Sequence, residues 1–409
     1  MMVAPKLRFK ADDGSEFPAW EKKTLGDIVE RVTRKNRDNQ TDVPLTISSL
    51  DGLVDQRDYF KKTVASKDMS GYFLLQNGEF AYNKSYSVGF DYGSIKRLDK
   101  CPCGALSTLY ICFGLKPNVD IDSDYLTHYF DSQKWNSEVA AICAEGARNH
   151  GLLNVSTSDF FDINIMSPSF SEQRKIADFL SAVDDVIATQ QAEVDAWEQR
   201  KKGVMQKLFS QEVRFKADDG SDFPKWEEKT LGEYCTQLKA SIDPRKSPNT
   251  IFAEYSMPAF DESRKARFVS GREMNSARKI LSEPCVLVNK LNVRKRRIWL
   301  VKNPEQNAVC SSEFVPLSSN AINLTFLSYF ALTDRFTSYL MDCSSGSSNS
   351  QKRVVPDVIL NYVMQIPSLP EQRKIADCLA SMDEVIQKSK DELAKWQELK
   401  KGLLQQMFV

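Results

Sequence analysis

The side chains best suited to chemistry in this sequence are cationic and amide groups gathered in a few short stretches. Leu291–Arg297 reads LNVRKRR and runs on into Ile298 and Trp299. Two polar, glycine-containing stretches follow helix-like segments. EGARNHG at Glu145–Gly151 offers Arg148, Asn149 and His150, and SGSSNSQKR at Ser345–Arg353 offers Asn349, Gln351, Lys352 and Arg353. Asn83-Lys84-Ser85 and Asn289-Lys290 each close a strand-like run. In the DNA major groove arginine bonds guanine and asparagine or glutamine bonds adenine in bidentate fashion, while lysine and serine suit phosphate oxygens. The candidate contact set is therefore Asn83, Lys84, Ser85, Arg148, Asn149, His150, Asn289, Lys290, Arg294, Lys295, Arg296, Asn349, Gln351, Lys352 and Arg353. Taken singly, each stretch has a plainer reading, as an edge strand guarded by charge or a surface loop. Their recurrence at matching places in two halves of the chain favours contact chemistry.

Catalytic material is sparse. His128 and His150 are the only histidines, too few for a histidine-based triad or a multi-histidine metal site. No G-x-x-x-x-G-K-[ST] loop is present, no G-x-G-x-x-G opens a helix after a strand, and the Asn/Asp-Pro-Pro-aromatic signature of amino-methyltransferases is missing. Cys101-Pro-Cys103 has metal-like proximity but no second pair nearby, so buried or loop thiols are the expectation and no metal is assigned. The 55 basic and 55 acidic residues cancel. That neither favours nor excludes nucleic acid, because only residues near phosphates release counterions. No apolar run approaches ~18 residues, so no membrane contact is expected. The start, MMVAPKLRFKADDG, lacks an apolar signal core, and nine irregularly spaced cysteines suggest reduced thiols. A cytoplasmic location follows as an expectation.

Two long amphipathic stretches must position these groups. Ser171–Phe209 is free of proline, and its apolar residues step alternately by four and three: Ile176, Leu180, Val183, Ile187, Val194, Trp197, Val204 and Leu208. With Gln190 and Lys201 filling the remaining places, this is a heptad seam on a helix opened by Ser171, about 60 Å long. So narrow a seam needs a partner helix. Pro367–Phe408 repeats Pro168–Phe209 without a gap at an offset of 199, with the seam Ile375, Leu379, Met382, Ile386, Leu393, Trp396, Leu403 and Met407. The two helices are expected to pack as an antiparallel coiled coil within the chain.

The repeat extends further. LRFKADDGSEFPAWEKKTLGDI at Leu7–Ile28 returns as VRFKADDGSDFPKWEEKTLGEY at Val213–Tyr234, offset by 206. Each copy reads as a polar turn, a packed Trp (Trp20 or Trp226) and a short helix opening near Thr24 or Thr230. The chain is thus a tandem duplication. It divides into a first globular region with its leader (1–167), a central helix (168–212), a second globular region with its leader (213–366) and a C-terminal helix (367–409). Both regions read as mixed α/β, with strand-like runs at Gly71–Tyr82, Leu109–Gly114, Pro284–Val288 and Ile298–Val301, and helix-like segments at Ser123–Cys143 and Leu324–Met341. A pseudo-twofold would bring the C-terminus beside the N-terminus in a circular arrangement. The frame is duplicated while the regions it carries have diverged.

The chain resembles the specificity subunits of type I restriction–modification systems. The likeness rests on EQRKIADFL and EQRKIADCL at the helix starts, WEQRKKG and WQELKKG near their ends, the LRF…FPAW…KKTLGDI leader and AYNKSYSVGFDYGSIKRL. It covers essentially the full length. The resemblance implies two target recognition domains, each reading half of a bipartite, asymmetric DNA sequence, with the helices setting half-site spacing and docking two modification subunits. It implies a non-catalytic subunit without a cofactor of its own: S-adenosylmethionine, ATP and Mg would be used by partner subunits, and whether restriction subunits join is open. VNKLNVRKRRIW stands where YNKSYSVGFDYG would be matched, which leaves the second region's contacts less defined. Two other readings stand beside it, a structural coiled-coil adaptor for proteins and a self-contained DNA-modifying enzyme.

Overall fold

The structure is a computed structural model that describes residues 4–60, 65–143, 153–346, 348 and 350–409. The chain forms two compact units, Met1–Gln191 with Asp391–Val409, and Ala192–Lys390. Each long helix, Phe170–Phe209 and Leu369–Met407, gives one part to each unit.

In the first unit Thr24 and Asp27 form a capping box that starts the short helix Leu25–Ile28. The preceding strand, Glu21–Thr24, pairs antiparallel with Asn164–Ser167. Beyond it stand two four-stranded sheets. One runs in the order Val29–Arg31, Ile111–Leu115, Phe80–Asn83, Ser94–Arg97, and the other Gly52–Asp55, Pro44–Ser48, Cys103–Leu106, Phe73–Gln76. The two-residue alternation of a strand sorts side chains between two cores. Phe80, Tyr82, Ile111 and Phe113 pack with residues of the helices Ser123–Asp131 and Asn136–Ile142 and with Ile176, Ala177 and Leu180 of the long helix. Ala81 and Cys112, one residue out of phase, face Leu45, Phe73, Leu75 and Leu106 of the second sheet.

The second unit repeats this plan. Thr230 and Glu233 form the capping box, and Glu227–Thr230 pairs with Val363–Ile366. One sheet runs Thr236–Gln237, Phe314–Ser318, Cys285–Asn289, Ile298–Val301. The other has five strands, Ser241–Ile242, Arg278–Ile280, Ala308–Ser311, Ile251–Tyr255 and Arg267–Ser270. Each unit carries one parallel pairing, Pro44–Ser48 with Cys103–Leu106 and Ile251–Tyr255 with Ala308–Ser311.

Within each unit the long-helix segments run antiparallel. In the first, Leu404, Met407 and Phe408 share a core with Ile176 and Leu180, and Lys400 Nζ meets Asp184 Oδ1 at 2.7 Å. In the second, Leu208 shares a core with Ile375 and Leu379, and Lys201 Nζ meets Asp383 Oδ1 at 2.5 Å. Of the seam, Ile176, Leu180, Val183, Val194, Ile375, Leu379, Ile386 and Leu393 are buried, and Ile187, Trp197, Met382 and Trp396 are half-buried. The Leu7 N–H donates to Gln406 O at 3.0 Å, and the Val213 N–H to Lys207 O at 3.2 Å. A leader therefore meets a helix end in both units, and the C-terminal helix lies beside the N-terminal leader.

Several elements differ from the sequence reading. The long helix starts at Phe170, so Ser171 lies in its first turn and is not its cap. Gly71–Tyr82 is two strands in different sheets, divided at Asn77-Gly78, where Gly78 has φ +85°. Ser123–Cys143 and Leu324–Met341 are each two helices. Gln133, at φ +59°, breaks the first, and the Thr333 side chain caps the second helix of the other pair. Leu291–Arg297 is not a strand. Asn292 and Arg296 are both left-handed (φ +50° and +46°) and enclose one tight helical turn, Val293–Lys295.

Candidate nucleic-acid interface

The repeated Glu-Gln-Arg-Lys at the start of each long helix holds the rest of its unit in place. The Glu172 carboxylate, 0% exposed, accepts from Arg8 Nε at 2.7 Å and Nη2 at 2.8 Å, and so ties down the leader. Gln173 reaches the other way: its Oε1 accepts from the Asp122 N–H at 2.8 Å, at the start of the helix Ser123–Asp131. Its Nε2 donates to Asp120 O at 3.1 Å and Pro168 O at 2.9 Å. Lys175 Nζ donates to Lys10 O at 2.8 Å. The second unit matches this with Glu371 to Arg214, Gln372 to the Asn323 N–H and Lys374 to Lys216 O. Buried charge-assisted bonds of this kind fix orientation, since either partner alone would be left desolvated.

So anchored, each unit presents the end of a central strand. In the first, Asn83 ends the strand Phe80–Asn83, its Oδ1 accepts from the Ser85 N–H at 3.0 Å, and Lys84 O accepts from the Leu153 N–H at 2.9 Å. Lys84 Nζ lies 3.4 Å from Val155 O. Leu153 lies two residues beyond the Glu145–Gly151 stretch that carries Arg148, Asn149 and His150, three residues outside the described ones. In the second unit Lys290 O accepts from the Val354 N–H at 3.0 Å, the equivalent bond. Here the partner loop is described apart from two of its residues, Asn349 being one of those outside. The Asn292 N–H donates to Lys352 O at 2.8 Å, Leu291 bridges to Arg353, and Arg294 and Lys352 line one small cavity with Asn292, Val293, Met341 and Ser344. The fold thus brings the 289–297 and 345–353 stretches together.

It also separates surface groups from structural ones. Asn289 is 1% exposed: its Nδ2 donates to Leu291 O at 2.9 Å and its Oδ1 accepts from the Arg297 N–H at 2.9 Å, so it shapes the turn and is not available to a ligand. Arg296 pairs with Asp334 at 2.5 Å, and Arg353 approaches Glu313 at 3.3 Å. Arg297 is buried, and its guanidinium grips Asp261 at 2.7 and 2.5 Å, holding that carboxyl below the usual range. The Arg294 and Lys295 side chains remain exposed, with no side-chain hydrogen bond or ion pair among the described residues, and Gln351 is exposed too. Two lysines escaped the sequence reading. Lys279, half-buried, has Lys290 and Lys239 as neighbouring charges, and burial first and then these charges lower its pKa. They lie singly on separate segments, so no local run marks them.

Cys101 and Cys103 are half-buried, the Cys101 thiol donating to Cys103 O at 3.4 Å. Among the described residues no group of three or more His, Cys, Asp or Glu side chains gathers around a metal-sized site, and no helix is long and apolar enough to cross a membrane.

The family described as "Type I restriction modification DNA specificity domain" matches residues 19–196. The type I restriction enzyme MjaVIII specificity subunit of Methanocaldococcus jannaschii is 24% identical over 99% of this chain and 96% of its own length. Residues 19–196 thus match a DNA specificity domain of type I restriction–modification systems, and the chain as a whole is similar to a specificity subunit of that class. The HindI specificity subunit of Haemophilus influenzae is 20% identical over 45% of this chain and 41% of its own. Among solved structures, the type I restriction–modification S subunit from M. genitalium has the same fold: TM-score 0.56, 16% identity, covering 100% of this chain and 99% of that one.

Proposed function

We propose that this chain binds double-stranded DNA and that each unit reads one half of a bipartite, asymmetric target. One observation carries the reading. An equivalent strand end, Asn83-Lys84 or Asn289-Lys290, held by an equivalent backbone bond to residue 153 or 354, presents a different set of side chains in each unit. A symmetric target would call for two like readers; these differ. The long helices set the separation of the half-sites and dock two modification subunits. Methyl transfer from S-adenosylmethionine, and ATP- and Mg-dependent cleavage where restriction subunits are present, belong to the partner subunits. The complex acts in the cytoplasm. The supporting arguments are the match to the specificity domain, the exposed cations Arg294 and Lys295 with the half-buried Lys352 beside them, and the phosphate affinity of such groups.

The test is a methylome of cells carrying this gene with a type I modification subunit, against cells lacking this gene. A new methylation motif split by a fixed, unspecified spacer is the expected result. With the modification subunit expressed and soluble, the absence of any new motif would sink the reading.

A further inference from the structure

In the first unit, the turn after Asn83-Lys84 holds apolar side chains out in water. Ser87 and Phe90 exchange backbone hydrogen bonds of 3.3 and 2.8 Å, which leaves Val88 and Gly89 at the tip. Gly89 has φ +82°; Gly93, at φ +80°, lies so close to the strand end that a Cβ there would stand 2.0 Å from Asn83 O. Val88 is 91% exposed and Tyr86 beside it 52%. A second tip stands alongside. The Ser48 hydroxyl donates to Asp51 Oδ2 at 2.7 Å and closes the turn that lifts Leu50 out, 86% exposed. The Ser49 hydroxyl is 2.9 Å from that of Ser87 and donates to that of Ser94 at 3.1 Å, which joins the two tips. Exposed apolar groups held this rigidly are preorganised for a contact.

The register of the repeat adds a second, independent observation. Val88 stands five residues after Asn83, and Arg294 five residues after Asn289. Both sit on the turn beyond the strand end, one apolar, the other cationic. Arginine at such a place matches guanine, and the one apolar group that DNA presents in its major groove is the thymine methyl.

We infer that Val88, with Leu50 beside it, is the base-reading tip of the first unit and contacts the 5-methyl edge of a thymine in the major groove. The Ser87 hydroxyl lies where it can donate to the adjacent O4. The inference rests on the reading that each unit recognises one half-site, and it names the chemistry of the first.

The experiment uses the full chain assembled with its modification subunits on the parent methylation motif. The half-site of the first unit is the one whose readout Arg294→Ala leaves unchanged. Each thymine in that half-site is replaced in turn by deoxyuridine, and binding by the parent is compared with Val88→Ala. The parent is expected to lose roughly three- to tenfold in affinity at one thymine, and Val88→Ala to bind thymine and uracil duplexes within about twofold of each other. The thermal midpoint should not move, because the side chain is exposed. The inference is overturned by a half-site without thymine, by a parent indifferent to every uracil, or by a uracil penalty that survives in Val88→Ala. It is likewise overturned if Val88→Ala keeps DNA affinity but sheds a modification subunit, which would make the tip a protein contact. A parent that yields no split motif defeats the underlying reading as well, and is seen before any variant is made.

Discussion

Lys400 Nζ lies 2.7 Å from Asp184 Oδ1 across 216 residues of sequence, and the second unit makes the same pair from Lys201 and Asp383 at 2.5 Å. The aromatic neighbour differs. Tyr329 donates its hydroxyl to Asp383 Oδ2 at 2.7 Å, whereas the first unit has the buried His128, whose Nε2 is 3.2 Å from the Ser181 hydroxyl and whose Nδ1 stays 3.9 Å from Asp184. A tyrosine in that place satisfies the carboxylate at any ordinary pH; a histidine makes the site sensitive to protons.

Burial, and then the charge of Lys400, lower the His128 pKa, with Asp184, Asp131 and Asp124 pulling the other way. The folded state therefore holds the neutral ring, while the unfolded chain titrates near the usual ~6.5. The resulting stability is present above that value and lost as pH falls through it toward the lower folded pKa, by at most about 1.4 kcal/mol per pH unit. Urea midpoints should drop for the parent between about pH 7.5 and 5.5 and drop less for His128→Tyr. Equal slopes would show that His128 does not carry the effect.

Glu172 and Glu371 are buried acceptors for an arginine of the leader, but only Glu371 also takes a bond from tryptophan, Trp226 Nε1 at 3.2 Å. Trp20 Nε1 makes no hydrogen bond among the described residues. Breaking a buried pair from one side costs about 3–5 kcal/mol. Glu371→Ala should therefore destabilise its unit by about 1 kcal/mol more than Glu172→Ala does its own, and limited proteolysis should release the leader in both. Indistinguishable unfolding midpoints would contradict this.

Asn289 and Arg294, five residues apart, should behave in opposite ways. Asn289→Ala strands buried backbone partners and should cost about 2–3 kcal/mol of stability. Arg294→Ala should leave the thermal midpoint unchanged and weaken target binding roughly tenfold or more, with relaxed methylation at one position of one half-site. A stable Asn289→Ala with altered specificity would reverse the assignment.

The helices' proposed spacing role is open to a length test. Seven residues inserted at equivalent points in both long helices preserve the seam and add about 10 Å, or roughly three base pairs. The methylation motif should keep both half-sites and lengthen its spacer accordingly. An unchanged spacer would rule out the helices as the measuring element.

Local and periodic signals were legible in the sequence. The 199- and 206-residue repeats, the heptad seam, the short helices opening at Thr24 and Thr230 and the strand Ile298–Val301 depend on neighbours a few residues away and stand where the sequence placed them, while the run at Pro284–Val288 is shifted by one residue to Cys285–Asn289. Breaks were harder to see. A single left-handed residue, Gln133 or Asn292, ends an element without changing its apolar pattern, so two helices read as one and a turn read as a strand. Which polar groups are surface and which are scaffold follows from packing between distant segments. In RKRR, Arg296 and Arg297 find Asp334 and Asp261 more than thirty residues away, while Arg294 and Lys295 stay exposed. Val88, unremarkable in sequence, becomes prominent because Ser49, in another turn, meets Ser87 beside it. The energy of a charge or an apolar group depends on what lies around it in space, and for these residues that is contributed by distant parts of the chain.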